Sequence, residues 1–274
     1  MGEAAKLGVR WTIGDVSARG FEALRLSILG AWKLFGPEAA YAVCYNSIPL
    51  DQARARTGLL PEGVIWHEAT HELPGFLMAR LDARLAEGAA WKFAPLRLFP
   101  DRYELALDND CILWAIPEAI QRWLSDRDAE SCVVAEDVVA YFGEFAEFCG
   151  PEPRNGGIRG LPPGFDLEAA LRRILDEHPV LLTSELDEQG LQTAAISRVG
   201  RSLVVTVEEV TICSPFPPHL PYLGRCGAHF CGLNAKQLPW TLEGRPAVAY
   251  LEEHWLRLRE AVYKKVMPPR GVTR

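Results

Sequence analysis

Tyr103-Glu104-Leu105-Ala106-Leu107 reads as a strand, and it runs directly into Asp108-Asn109-Asp110. In open α/β sheets ligands gather beyond the carboxyl ends of the strands, so two acids placed there are positioned for chemistry. Upstream, strand and helix signals alternate: a strand at Val9 to Ile13, a helix from about Ser17 to Leu34, and strands at Ala40 to Tyr45 and Gly63 to Trp66. Such alternation predicts a parallel sheet. Phe21, Leu24, Ile28, Leu29 and Trp32 recur at helical spacing, so the first helix can lay one face on that sheet. The expected fold is α/β: a mostly parallel twisted sheet with helices on both faces.

Other elements follow on either side of the acidic stretch. A helix is expected around Pro74 to Glu87. The Gly- and Pro-rich stretch Gly150 to Gly164 reads as a loop over a site. Further helices are expected at Asp166 to Glu177 and after Ser184, where Asp187 three residues on fits a capping box and puts Glu188 and Gln189 in the first turns. A strand region at Leu203 to Ile212, a Pro-rich loop and an amphipathic helix from about Ala247 to Val266 complete the chain, which shows no internal repeat.

The 274 residues are 49% hydrophobic and 24% charged, the balance of a globular protein. Twenty-nine basic against thirty-six acidic side chains leave a net charge of −7, which offers no footprint for duplex nucleic acid. The longest apolar runs, such as Ala247 to Leu251, are too short to span a bilayer, and Met-Gly-Glu-Ala-Ala-Lys lacks the apolar core of a signal peptide. Seven cysteines without a Cys-x-x-Cys pair suit buried thiols in a reducing compartment, so a cytoplasmic location is expected. Cys226 and Cys231 flank His229, but no second pair gives them zinc-ribbon spacing.

Asp108 and Asp110, two residues apart on an extended turn, can both offer hard oxygen ligands to Mg2+ or Mn2+, and the metal can neutralise a diphosphate. The plainer alternative is an Asx turn ending a strand. His229 lies in Cys226-Gly-Ala-His-Phe-Cys-Gly-Leu-Asn-Ala-Lys-Gln-Leu-Pro-Trp240, which combines an imidazole ligand, glycines that admit a phosphate and Lys236 as a cation. A competing signal is His67-Glu68-Ala69-Thr70-His71, the zinc-peptidase string. It needs a helix, yet Val64-Ile65-Trp66 prefers strand, Pro74 follows closely, and Glu87 is the sole nearby third ligand. No dinucleotide, nucleophile-elbow or P-loop string occurs. Of eight tryptophans, Trp91, Trp114 and Trp240 lie near these segments in sequence and are candidates to stack on a sugar.

Four segments, in chain order, resemble the metal-dependent retaining glycosyltransferases of the GT-A fold, the family of glycogenin and lipopolysaccharide galactosyltransferases. They are Ala94 to Asp110 with Lys92 or Arg97 near the donor-contacting basic position, Asn155-Gly156-Gly157, Glu188-Gln189-Gly190-Leu191, and His229-x-x-Gly232 with Lys236 and Pro239-Trp240. The likeness spans roughly residues 8 to 245. It departs from the family pattern in the spacing of Lys236 from Gly232 and Pro239, in Glu for Asp at 188 and in Gly for Ser at 156.

The resemblance implies one domain over 1–274, with a nucleotide-binding half at 8–110 and an acceptor half at 111–274. It implies a metal held by Asp108, Asp110 and His229, Mn2+ (or Mg2+), with Asp15, Lys92, Gly232 and Lys236 on the donor. Gln189 and Asn155 would position sugar and acceptor. The implied partners are a nucleotide-sugar donor, a UDP-sugar by preference, and an unidentified hydroxyl acceptor on a glycan, lipid or protein. A catalytically degenerate domain that only binds a nucleotide sugar is the alternative, motivated by the altered Lys-Pro-Trp segment.

Overall fold

The computed structural model describes residues 6–82, 89–127 and 129–267. Its first third is built as the alternation requires: β1 (Leu7–Ile13), α1 (Ala18–Phe35), β2 (Ala40–Tyr45), α2 (Leu50–Thr57) and β3 (Val64–Glu68). Ser17 caps α1 by accepting the Gly20 N–H, and Gly36, at φ 73°, ends it in the left-handed region. After the short helix α3 (Gly75–Met78) come β4 (Tyr103–Asp108), β5 (Cys111–Leu113), α4 (Glu118–Asp126), β6 (Ser131–Glu136) and β7 (Arg154–Leu161). Then follow α5 (Leu167–Glu177), α6 (Glu185–Ser197), β8 (Arg201–Val205), β9 (Val210–Ile212), β10 (Gly227–His229), a small hairpin of β11 (Thr241–Leu242) and β12 (Arg245–Pro246), and α7 (Ala247–Val266).

The main sheet has the order β3-β2-β1-β4-β7-β6-β8. Every neighbouring pair is parallel except the two made by β7, which runs antiparallel to both β4 and β6. Residues before and after position 110 thus share one sheet. One face packs Phe21, Leu24 and Ile28 of α1 and Ile120 and Trp123 of α4 onto Val9, Trp11, Leu105 and Val133. The other packs Leu171 and Ile174 of α5 and Leu191 and Ala195 of α6 onto Cys132, Val134 and Leu161. A second sheet, β5-β10-β9, shares a core with α1 and α7, which includes Ala23, Leu26, Ile112, Ala228, Trp255 and Val262.

The stretch expected to be a loop at 150–164 is instead largely β7, a strand inside the main sheet. Its prolines, 151, 153, 162 and 163, lie outside the strand, where no ladder donor is required. Its glycines answer close neighbours: a Cβ at Gly160 would lie 2.7 Å from Val133 Cβ and 3.0 Å from the Trp123 ring, and one at Gly157 would overlap the imidazole of His229. The helix expected over 74–87 is confined to α3, and residues 83–88, Glu87 among them, lie outside the described residues. The strand region 203–212 is two strands in two sheets, parted by a turn in which Val210 N–H donates to Thr206 O (2.9 Å) and Glu209 reaches back to Thr206. β5, α4 and β6 carried no assignment from sequence.

Candidate functional site

The site forms where β4 and β10 end. Asp108 is the last residue of β4, Asp110 precedes β5, and His229 ends β10, where it stands opposite Cys111 of β5 in antiparallel register. Phe230 N–H donates to Asp110 O at 2.9 Å, so the backbone itself binds the acidic turn to the histidine segment. Asn109 and Asn234 exchange side-chain amide hydrogen bonds of 2.6 and 2.9 Å, and Asn234 also donates to Asp110 Oδ2 at 3.1 Å. His229 Nε2 consequently lies 3.4 Å from Asp108 Oδ2 and 3.3 Å from Asp110 Oδ1.

One ligand atom from each of the three residues lies within 4.8 Å of the others, and among the described residues no other group of histidine, cysteine or acid meets that condition. The donor set is two carboxylates and an imidazole, which suits a divalent cation of the Mn2+ type. Behind the imidazole, Asn155 Nδ2 donates to Asp137 Oδ2 at 2.9 Å, leaving Oδ1 to accept from Gly157 N–H (2.8 Å) and His229 Nδ1 (2.9 Å). A proton held on Nδ1 leaves Nε2 as the ligand atom, an outer-shell arrangement that fixes ring and tautomer together.

Charge around the cluster is tightly balanced. Lys92 Nζ lies 2.9 Å from Asp108 Oδ2 and 3.5 Å from Glu188 Oε2. Burial opposes the Lys92 charge, but Asp108, Glu188 and Asp110 outweigh it and raise its pKa. Burial likewise opposes ionisation of Asp108, yet Lys92 and His229 hold its carboxyl well below the usual range. The imidazole of His229 is raised well above its ordinary value: burial works against the charge, while Cys231, Asp108 and Asp110 favour it. Glu188, 1% exposed in the first turn of α6, is pushed up to about 7, chiefly by burial, with Lys92 pulling the other way. The capping box expected at Ser184 and Asp187 opens this helix.

Gln189 accepts the Gly156 N–H at 3.0 Å and donates to Tyr141 O at 2.9 Å, so it braces the start of β7. Asp15, just past β1, is engaged by Lys236 Nζ at 2.6 Å and Arg56 Nη1 at 2.8 Å, which lower its pKa. Lys236 therefore meets the end of β1 and forms no ion pair with the metal cluster. Gly232 has φ 83°, a left-handed turn in the segment that folds back over α1. Trp240 is half-exposed and packs edge-on against Phe216 (4.7 Å), while Trp114 donates to Arg225 O beneath Lys265. His67 and Glu68 end β3, and His71 lies beyond it in a turn. Neighbouring strand residues point to opposite faces, so the zinc-peptidase geometry is absent, and His67 pairs with Glu72 at 2.6 Å.

A buried ionic layer beneath the cluster was missed at the level of sequence. Arg10, Glu104 and Arg159 are each 2% exposed or less; Arg10 Nε lies 3.3 Å from Glu104 Oε1, and Arg159 Nη1 donates to Gln192 Oε1 at 2.5 Å. The available signal was a charge at an inward position of an otherwise apolar strand, as at Arg10 between Val9 and Trp11.

This arrangement, a doubly covered sheet with acids and a histidine meeting at one end, has the GT-A fold. The chain is similar to the galactosyltransferase LgtC, solved in complex with donor and acceptor sugar analogs, with 13% identity and a TM-score of 0.59 over 96% of this chain and 98% of that one. An active-site mutant of LgtC matches with 11% identity and a TM-score of 0.56, over 95% and 100%. No family model and no curated protein sequence matches. Among the described residues no helix is long and apolar enough to cross a membrane.

Proposed function

We propose that the protein is a glycosyltransferase that moves a sugar from a nucleotide-diphosphate donor, a UDP-sugar by preference, to a hydroxyl acceptor, with retention of anomeric configuration. The observation that carries this reading is the convergence of Asp108, Asp110 and His229, from segments about 120 positions apart in sequence, at the carboxyl end of a GT-A sheet. When bound there, Mn2+ (or Mg2+) would supply positive charge against the diphosphate leaving group.

The chain's own residues then have defined tasks. Asn155 holds the Nδ1 proton of His229 and so presents Nε2 to the cluster. Lys92 sits between Asp108 and Glu188, where its charge keeps two neighbouring carboxylates compatible and adds to the field that a departing phosphate would meet. Glu188 and Asp108 place negative charge where an oxocarbenium-like sugar centre would develop. Gln189 and Asn155 fix the start of β7 against which sugar and acceptor would be positioned. Asp15 and Lys236, linked at the end of β1, are proposed to border the nucleotide, with the left-handed turn at Gly232 setting the path of the Lys236 segment. Seven free cysteines suit a reducing compartment, consistent with action in the cytoplasm.

The test is calorimetry with UDP and Mn2+ followed by turnover of UDP-sugars. Wild type is expected to bind and turn over. Asp108→Ala and Asp110→Ala are expected to lose both metal binding and turnover while keeping the native circular dichroism. Unchanged turnover in either variant refutes the assignment, and binding without turnover across donors and acceptors identifies a nucleotide-sugar-binding protein instead.

A further inference from the structure

Arg159 is 2% exposed in the middle of β7, and among the described residues it has no carboxylate within ion-pair distance. Its one side-chain hydrogen bond runs from Nη1 to Gln192 Oε1, and its Nε and Nη2 have no partner. Those two nitrogens form the side edge of the guanidinium, the edge that binds a carboxylate through two parallel hydrogen bonds. A buried guanidinium with two unbonded nitrogens and no carboxylate in contact is costly enough to call for an explanation.

The space beside it is built into the sheet. Register places Arg10, Ala106 and Arg159 in one row across β1, β4 and β7. The single methyl of Ala106 between two long side chains leaves a cavity of about 20 Å3, lined by Arg10, Lys92, Asp108, Arg159 and Gln192 among others. That volume admits a small polar group. Arg10 is already committed to Glu104 and to the carbonyls of Pro95 and Lys92, and Lys92 to Asp108 and Glu188. Arg159 is the cation left to answer a ligand, and the cavity borders Asp108 of the proposed metal cluster.

We propose that Arg159 and this cavity form a carboxylate subsite for the donor sugar, so that the donor is a nucleotide-linked uronic acid. This rests on the glycosyltransferase reading above. A carboxylate matches the free fork in shape and charge, whereas a neutral hydroxymethyl would meet the N–H groups without bringing a negative charge into contact with them. Glu188, whose Oε1 is likewise without a partner, would take a hydroxyl of the same sugar.

The experiment compares, in the presence of Mn2+, the affinities for UDP, UDP-glucuronate against UDP-glucose, and UDP-galacturonate against UDP-galactose, each sugar pair differing only at C6. At least one uronate is expected to bind about tenfold or more tightly than its neutral partner, the scale of one charge-assisted hydrogen bond. Arg159→Met is expected to bring that ratio to about one, and Ala106→Val, which fills the cavity and keeps the guanidinium, to do the same. UDP affinity in each variant reports whether the nucleotide pocket has formed; should Arg159→Met fail to fold, Ala106→Val decides. Equal affinities in both pairs with UDP still bound overturn the subsite and leave the transferase reading standing, with water as the occupant of the cavity. Absence of UDP binding to wild type overturns both.

Discussion

His229 and Asn155, 74 positions apart, are joined by a 2.9 Å hydrogen bond from imidazole Nδ1 to amide Oδ1, and the opposite end of that amide is tied to Asp137. Because Asp137 accepts a hydrogen bond from Nδ2, Oδ1 has to face the ring, and the imidazole tautomer is selected by a residue outside the Asp108, Asp110 and His229 cluster. Removing the amide frees the ring to rotate and to change tautomer. Asn155→Ala is expected to keep the fold and weaken Mn2+ binding by about 10- to 100-fold, read by calorimetry or by the paramagnetic signal of the free ion.

Gly157 supplies the room this ring occupies. A Cβ there would overlap the imidazole, whereas one at Gly156 would stand 3.4 Å from Gln192 Nε2 and 3.5 Å from Lys92 Nζ, ordinary contacts. Gly157→Ala is therefore expected to abolish metal binding and lower the melting temperature by several degrees, with Gly156→Ala melting close to wild type. Paired thermal melts check this directly.

The ammonium of Lys92 lies between the partly exposed carboxylate of Asp108 and the buried one of Glu188. Lys92→Met should leave Asp108 and Glu188 without their cation, at a cost of about 1–3 kcal/mol in unfolding free energy, measurable by urea titration. Restoring the charge as Lys92→Arg is expected to recover part of the loss. A stability equal to wild type in the methionine variant would show that the two acids do not depend on this ion pair.

His254, whose Nε2 lies 3.4 Å from Cys213 Sγ, gives a pH dependence of stability. Burial, with Arg257 Nη2 at 2.9 Å from its Nδ1, lowers its pKa to about 4. The folded protein keeps the ring neutral, while the unfolded chain takes up a proton at the ordinary imidazole value near 6.5. Stability from this residue is thus complete above about pH 6.5, declines as the pH falls towards 4, and the total loss is about 3 kcal/mol. His254→Gln is expected to flatten that limb of the unfolding curve.

The parts of this architecture that were legible in the sequence are those written in local periodicity. Phe21, Leu24 and Ile28 announce α1, and the apolar run into Asp108 announces a strand that ends at the acidic turn. Ser184 and Asp187 announce the start of α6. What stayed hidden depends on partners distant in the chain. Gly156, Gly157 and Gly160 read as a loop because glycine is ordinarily turn chemistry, yet two of the three are required by His229, Val133 and Trp123 packed against a central strand. Arg10 and Glu104 look like surface charges until register brings them together. His67-Glu68-Ala69-Thr70-His71 matched a catalytic string in letters alone, since the strand period places its first two members on opposite faces.

The acidic turn after β4 and the histidine that closes β10 are held together by the Phe230–Asp110 backbone bond and the Asn109–Asn234 amide pair. The acids of positions 108 and 110 thus have their histidine partner only once a segment about 120 positions further along the chain has been added to the second sheet. Completing the three-residue cluster and completing the second sheet are therefore the same structural step.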